Sequence, residues 1–505
     1  MIKAAGLTFI VAVMAACSSL KNNRQEYKEP YRLQFHFSPK AKWVNDPNGM
    51  VYLNGKYHLF FQYYPDSTVW GPMHWAHAVS KDLMHWEQLP IALYPDSLGW
   101  IFSGSAVYDK DNTSGFAKDG KMPLVAIFTH HNPKLEKAGR KDFQYQSIAY
   151  SLDEGTTWTK YAGNPVLKNP GITDFRDPKV IWYAPGKKWV MTLATKDHVT
   201  FYSSPDLKNW TKESEFGQQS GAHGGVWECP DLFSIKAGGK EHWVLLVSVN
   251  PGAPNGGSGT QYFIGNFDGH TFTSTSATTK WLDYGTDNYA GVTWSNTGDN
   301  RIFIGWMNNW QYANRVPTQV WRGATTLPRT LELREVDGAY FLSAMPVNTF
   351  NTLRQKEVRW QNIRVNDSLD ISAKVKNFKD KFVLQFKTTT LADFAIKLSN
   401  TTGEQLIVGY DKQTNSYYID RTKSGETSFE TGFAKKIVAP RISQSGNITG
   451  KLVIDAASAE LFADDGLTNQ TAVFFPGKPY TALTLLAGNL NMETLSYAPI
   501  NSIWP

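Results

Sequence analysis

Between about residues 40 and 340 the chain repeats one unit: a polar or acidic entry, an apolar strand, a Gly or Asn turn, and a second apolar strand. The unit is visible as DPNGMVYLNGKYHLFFQY from Asp46, DPKVIWYAPGKKWVMTLA from Asp177, CPDLFSIKAGGKEHWVLLVS from Cys229 and NYAGVTWSNTGDNRIFIGW from Asn288. Two such runs joined at a tight turn form a hairpin. Three of the hairpins are followed by an Asp turn and a Trp, in SKDLMHW from Ser80, SLDEGTTW from Ser151 and SPDLKNW from Ser204. Strand-rich units recurring at roughly 50 to 75 residues, without convincing helical stretches, predict blades of about four strands in a propeller. The entries fall near 46, 103, 177, 228 and 287, so five blades are expected. In a propeller the first strand of each blade lines the central channel, which brings all five entries to one funnel. A single sheet or sandwich would give no such convergence.

After about residue 345 the repeat stops, and alternating runs such as DKFVLQFKT, EQLIVGYD and GKLVIDAASAELFAD read as strands of a β-sandwich. The fold class expected is therefore all-β: a five-bladed β-propeller over 31–345 followed by a C-terminal β-sandwich over 346–505. The boundary is expected between Leu342 and Val358. At the N-terminus, Lys3 precedes an apolar run over 4–16 that is too short to span a bilayer and reads as a signal peptide, 1–16. The small residues Ala15 and Ala16 before Cys17 resemble a bacterial lipobox, which makes Cys17 a candidate lipid anchor and 17–30 a tether. Membrane attachment at the cell envelope is then expected, and the lack of an acidic run after Cys17 favours a periplasm-facing anchor over surface export.

The 505 residues carry a formal net charge of +6, but the basic residues are scattered among acids, so no nucleic-acid partner is expected. With Cys17 and Cys229 the only cysteines, a stabilising disulfide is not expected. Aromatics make up 14% of the chain, which suits stacking on sugars and equally suits packing in an all-β protein.

Acids stand at three of the five entries, in WVNDPNG (43–49), FRDP (175–178) and WECPD (227–231), each beside an aromatic. Any one Asp-Pro reads as a turn signal, but three in register with the blades would face a concave, partly dry funnel. Glycoside cleavage needs one carboxylate to attack or stabilise the anomeric carbon and one carboxyl to protonate the leaving oxygen. Asp46, Asp177 and Glu228 fit these roles, with a third carboxylate gripping ring hydroxyls. Glu228 is the candidate acid because two nearby aspartates disfavour its ionisation. His74 and His77, three apart on a strand, do not share a face, so no metal site is expected. Cys229 reads as a small buried residue behind Glu228 rather than a nucleophile. The run PGAPNGGSG from Pro251 lacks the strand-to-helix setting of a phosphate loop and reads as a loop near the funnel rim.

These blocks, in this order and spacing, resemble the signatures of glycoside hydrolase family 32, the invertase, inulinase and levanase family. Val44 stands where Met or Leu is commoner in that family. Supporting blocks are FSGSA (102–106), WGPMHWAHAVS (70–80) and GWMNNW (305–310). The resemblance implies that Asp46 is the nucleophile, Glu228 the acid/base and Asp177 the transition-state stabiliser. It places substrate contacts at Asn45, Gln62, Trp70, Phe102, Ser103 and Arg176, with Trp306 and Trp310 as candidate stacking walls. Arg176 is expected to hold the adjacent Asp177 ionised and oriented. The function it implies is retaining hydrolysis of β-D-fructofuranosidic bonds in levan, inulin or fructo-oligosaccharides, exo-acting and without cofactor. Endo-levanase action, sucrose preference, a non-catalytic fructan-binding lipoprotein and an inverting arabinan- or xylan-acting propeller hydrolase are the competing readings. No obligate protein partner is implied, and the sandwich is expected to brace the propeller rather than bind sugar.

Overall fold

The computed structural model describes residues 27–505; the expected signal peptide, Cys17 and most of the tether lie outside the described residues. Strands dominate, and the only α-helix among the described residues is the five-residue segment Pro133–Lys137. Five antiparallel sheets follow one another, over residues 42–93, 100–160, 175–216, 226–281 and 289–346. They are the blades of a propeller. Their first strands, Lys42–Leu53, Trp100–Tyr108, Phe175–Tyr183, Val226–Ala237 and Tyr289–Thr293, each contact the next, and the fifth contacts the first. The expected entries at 46, 103, 177 and 228 lie on these inner strands, and 287 lies two residues before the last.

The three Asp-turn repeats make the same bonds. Trp86, Trp158 and Trp210 each donate their indole N–H to the carbonyl three residues earlier, on Leu83, Gly155 and Leu207, at 3.0–3.1 Å. Each of those acceptors has positive φ, and Asp82, Asp153 and Asp206 hold the turns open by accepting backbone N–H groups.

All five inner strands are also irregular at one height. In each, two residues oppose one on the neighbouring strand: Asn45 and Asp46, Phe102 and Ser103, Asp177 and Pro178, Cys229 and Pro230, and Ala290 and Gly291. Such β-bulges re-aim side chains and tolerate proline, which has no N–H for the ladder.

The C-terminal region forms a ten-stranded sheet folded on itself. The 18-residue strand Ala482–Pro499 joins its two halves, and an apolar core including Leu384, Leu398, Val408, Leu452 and Leu485 fills the space between them. This domain docks across the seam where the propeller ring closes. At that seam Trp321–Arg322 pairs in parallel with Lys42 and Trp43 of the first blade. Glu460 of the sandwich spans it, bonding His36 Nε2 at 2.7 Å on one side and Arg329 Nη2 at 2.5 Å on the other. Arg329 also bonds Asp283, and Arg421 of the sandwich bonds Asp287, all of them buried. Burial disfavours the His36 imidazolium, but hydrogen bonds to Asp455 and Glu460 hold its pKa up at about 9. The sandwich thus acts as a charged clasp on the ring.

Breaking a buried ion pair by removing one partner strands the other charge. Glu460→Ala is therefore expected to cost about 3–5 kcal/mol, measured as a lower urea midpoint. A midpoint within error of the parent would show that the clasp is not a stabilising element.

Candidate active site

The bulges bring three carboxyl groups to the channel mouth. Asp46 Oδ1 accepts Asn45 Nδ2 at 2.8 Å, and its Oδ2 accepts Ser103 Oγ at 2.7 Å from the second blade. Asn45 is itself oriented by Trp43 Nε1, which donates to Asn45 Oδ1 at 2.7 Å. Asp177 Oδ2 accepts the backbone N–H of Cys229 at 3.0 Å. The Cys229 thiol lies 3.6 Å from Asp46 Oδ2 and 3.6 Å from Asp177 Oδ2, so these two oxygens are no farther apart than twice that distance. Glu228 Oε1 accepts Arg176 Nε and Nη2 at 3.1 and 3.0 Å, and Oε2 accepts the Tyr289 hydroxyl of the fifth blade.

Backbone conformation sets this arrangement. Asp177, Cys229 and Ala290 all have φ between 45° and 64°, a left-handed region that side-chain-bearing residues enter only when the surroundings over-determine it. At Asp177 the turn is pinned by its own N–H, which donates to Thr129 Oγ1 at 3.1 Å; Thr129 then donates to Gln146 Oε1 at 2.6 Å.

Burial raises the pKa of Asp46, with Glu228 adding to the effect and hydrogen bonds from Asn45 and Ser103 opposing it. Burial likewise pushes Asp177 up to about 7; Arg176 opposes this, while Glu228 and Asp46 add to it. Burial and the surrounding carboxylates push the Cys229 thiol well up, so it is a protonated thiol whose one S–H can donate to either aspartate, and not a nucleophile. The expected buried, small Cys229 is thus present, but it sits between the aspartates.

The structure corrects the expected role of Arg176. Its hydrogen bonds run to Glu228, to Asp174 at 2.5 Å and to Gln144 at 3.4 Å, while Asp177 receives only its through-space charge. The physical reason is the bulge: the left-handed turn at Asp177 sends adjacent side chains to different partners. Glu228 consequently has a cation at hydrogen-bonding distance, and the two aspartates alone do not set its charge environment.

A cavity of about 450 Å³ opens over these groups. Asn45, Gln62, Trp70, Phe102, Ser103 and Arg176 all line it, as expected. Gln62 is the single residue opposite the first bulge, and its buried Nε2 has no hydrogen-bond partner among the described residues. Trp306 does not line the cavity. It is fully buried one layer behind, 4.8 Å from the Trp310 ring, so Trp310 forms the wall and Trp306 backs it. His77 is buried against His58 at 3.1 Å, while His74 is only partly buried and bonds Pro72 O instead.

The sequence reading missed Asp174, Gln144, Trp100, His131, Glu136, Phe143 and Asn250, which also line the cavity. Asp174 and Trp100 sit two residues from motif positions and could have been found by their spacing. His131, Glu136 and Phe143 lie on and around the helix Pro133–Lys137, a connection without a periodic signal. The Gly-rich loop after Asn250 begins at the cavity's edge, as expected of a rim segment.

Comparison with known proteins agrees with this geometry. A family model described as the glycosyl hydrolases family 32 N-terminal domain matches residues 36–344, and one described as the glycosyl hydrolases family 32 C terminal matches 349–499. A levanase of Bacillus subtilis is 45% identical over 512 residues, covering 99% of this chain and 74% of the relative. An extracellular exo-inulinase of Aspergillus niger is 41% identical, covering 89% of this chain and 90% of the relative. Among solved structures, the exo-inulinase of Aspergillus awamori superposes with a TM-score of 0.87 at 38% identity, covering 95% of this chain and all of the other. A β-fructofuranosidase from Schwanniomyces occidentalis gives 0.85 at 32% identity, covering 94% of this chain and 99% of the other.

Because the folded-state pKa of Asp177 is about 7 against 3.8 in the unfolded chain, the native state holds a proton that the unfolded state releases. That contribution is complete below about pH 4 and is lost as pH rises through 7. Asp177→Asn, which cannot ionise, is therefore expected to melt above the parent at pH 8, with the gap closing as pH falls toward 4. Thermal melts across that range check it; a gap that does not vary with pH would contradict the protonated Asp177.

Proposed function

The chain belongs to glycosyl hydrolase family 32, and from that premise we propose that it hydrolyses β-D-fructofuranosidic bonds in fructans with retention, releasing terminal fructose. The observation that carries this reading is the cluster of Asp46, Asp177 and Glu228 beneath one aromatic-walled cavity, held by Cys229 and Arg176. Similarity to a levanase and to exo-inulinases supports the substrate class.

In this mechanism Asp46 attacks C2 of the fructosyl unit while Glu228 protonates the departing oxygen. Asn45 and Ser103 bond Asp46 on both oxygens and so aim it as a carboxylate. Arg176 and Tyr289 both donate to Glu228 and so fix the direction in which its carboxyl group points. Glu228, having given up its proton, then activates the water that releases fructose from Asp46. Asp177 receives ring hydroxyls as positive charge develops on the sugar. Gln62, with its free Nε2, is positioned to bond a substrate oxygen. The chemistry draws on side chains alone.

Exo-action is the preferred mode because several relatives carry the name exo-inulinase. Attachment to the cell envelope through Cys17 remains part of this reading, supported by the lipobox-like AAC sequence.

Asp46→Ala and Glu228→Ala are each expected to lower kcat on fructan by at least ~10²–10⁴-fold while the melting temperature is retained. Near-parental turnover in either removes the assignment. Sizing the products from levan, inulin and sucrose tests the mode: fructose alone is expected, and a ladder of oligomers would instead establish endo-cleavage.

A further inference from the structure

A second cavity, of about 350 Å³, lies at the far ends of the same inner strands, on the propeller face opposite the carboxyl cluster. Where the catalytic funnel takes Phe102, Arg176 and Glu228 from the strand starts, this cavity takes Tyr108, Lys179 and Asp231 from farther along those strands. Asp231 closes the WECPD block, yet it serves the other mouth.

The floor is a buried ion pair with unused valences. Lys179 Nζ donates to Thr293 O at 2.5 Å and pairs with Asp231 Oδ1 at 3.3 Å, leaving a third N–H. Asp231 Oδ2 accepts from the backbone and hydroxyl of Thr293, while the fully buried Oδ1 makes no hydrogen bond beyond the Lys179 ion-pair contact. Arg301 uses Nε on Ser234 O and Nη1 on Gly298 O, so its Nη2 is unbonded among the described residues. Above this floor stand the half-buried rings of Trp182 and Trp243, whose indole N–H groups also lack partners among the described residues.

Charge decides the class of ligand. The lining holds three cations, Lys110, Lys179 and Arg301, against three anions, Asp109, Asp111 and Asp231, so no net field selects an ion. Unbonded N–H donors under indole faces suit a neutral ring with hydroxyls that accept hydrogen bonds and with an apolar C–H face. We propose that this opposite mouth is a second, non-catalytic saccharide-binding site. It is independent of the exo or endo mode and does not require the carboxyl cluster to be catalytic.

The test uses the full chain carrying Glu228→Gln, so that sugar is not consumed, and equilibrium dialysis against radiolabelled sucrose. Ser234→Phe fills the cavity, and Trp182→Ala removes one wall without touching the floor. Each is expected to lower the bound sucrose by one molecule per chain, with the melting temperature retained and, in the otherwise native chain, the turnover of sucrose unchanged. If neither variant changes the stoichiometry, the site does not bind sugar and the proposal falls. Displacement of that sucrose by equimolar inorganic phosphate would assign the cavity to an anion and equally overturn it. Failure of the hydrolase reading registers elsewhere, as turnover surviving in the Glu228→Gln chain.

Discussion

Everything in the carboxyl-lined funnel depends on five β-bulges at one height around the channel. An unbroken strand alternates its side chains between two faces, so consecutive residues cannot act together in the channel. Inserting two residues against one lifts that restriction locally and turns the extra side chain toward the axis. In this chain the inserted pairs include Asp46, Ser103, Asp177 and Cys229, so donors and acceptors from four blades reach one another without long loops. Rigid strands on both sides of each bulge then hold the geometry. A loop-borne site would have to be ordered by substrate.

That geometry is costly in the native state. Three residues with side chains sit at positive φ in the bulges, and three carboxyl groups share a buried volume with one arginine. Backbone strain of this kind is of order 1–3 kcal/mol per residue, and like charges in a dry site disfavour ionisation further. The Cys229 thiol, with one S–H within reach of both aspartates, relieves part of this repulsion, and Arg176 relieves part by pairing with Glu228 and Asp174. Replacing either donor by an apolar group would leave acceptors facing one another.

The bulges also explain how much could be read in advance. Asp-Pro was legible as a turn signal, and the recurrence of acids at the blade entries marked blade and register together. The side-chain partners were not legible. Nothing in FRDP shows that Arg176 turns away from Asp177 toward Glu228, since that depends on a left-handed φ at Asp177. GWMNNW offered two equivalent tryptophans, and only tertiary packing decides that Trp306 backs Trp310 instead of facing the cavity. Glu136 was invisible because it belongs to the short connection Pro133–Lys137, and His131 because it closes a strand outside the motif blocks.

A propeller built from one chain carries a weakness that the sandwich answers. Four of its blade contacts follow chain order, but the fifth joins the last blade to the first, through the short parallel pairing at Trp321–Arg322, a bridge at Val51 and Ser295 and a shared apolar core that includes Trp43, Phe61, Trp294 and Ile304. The bulges at Asn45 and Asp46 and at Ala290 and Gly291 lie on the two inner strands that meet at this seam, so any opening there would move Asp46 relative to Tyr289 and Glu228. Glu460 joins His36, just ahead of the first blade, to Arg329 in the last, at a point buried from water where charge pairing is screened least. The C-terminal domain therefore contributes to the geometry of the cluster without supplying a residue to the funnel. It holds closed one of the interfaces on which the spacing of the carboxyl cluster depends.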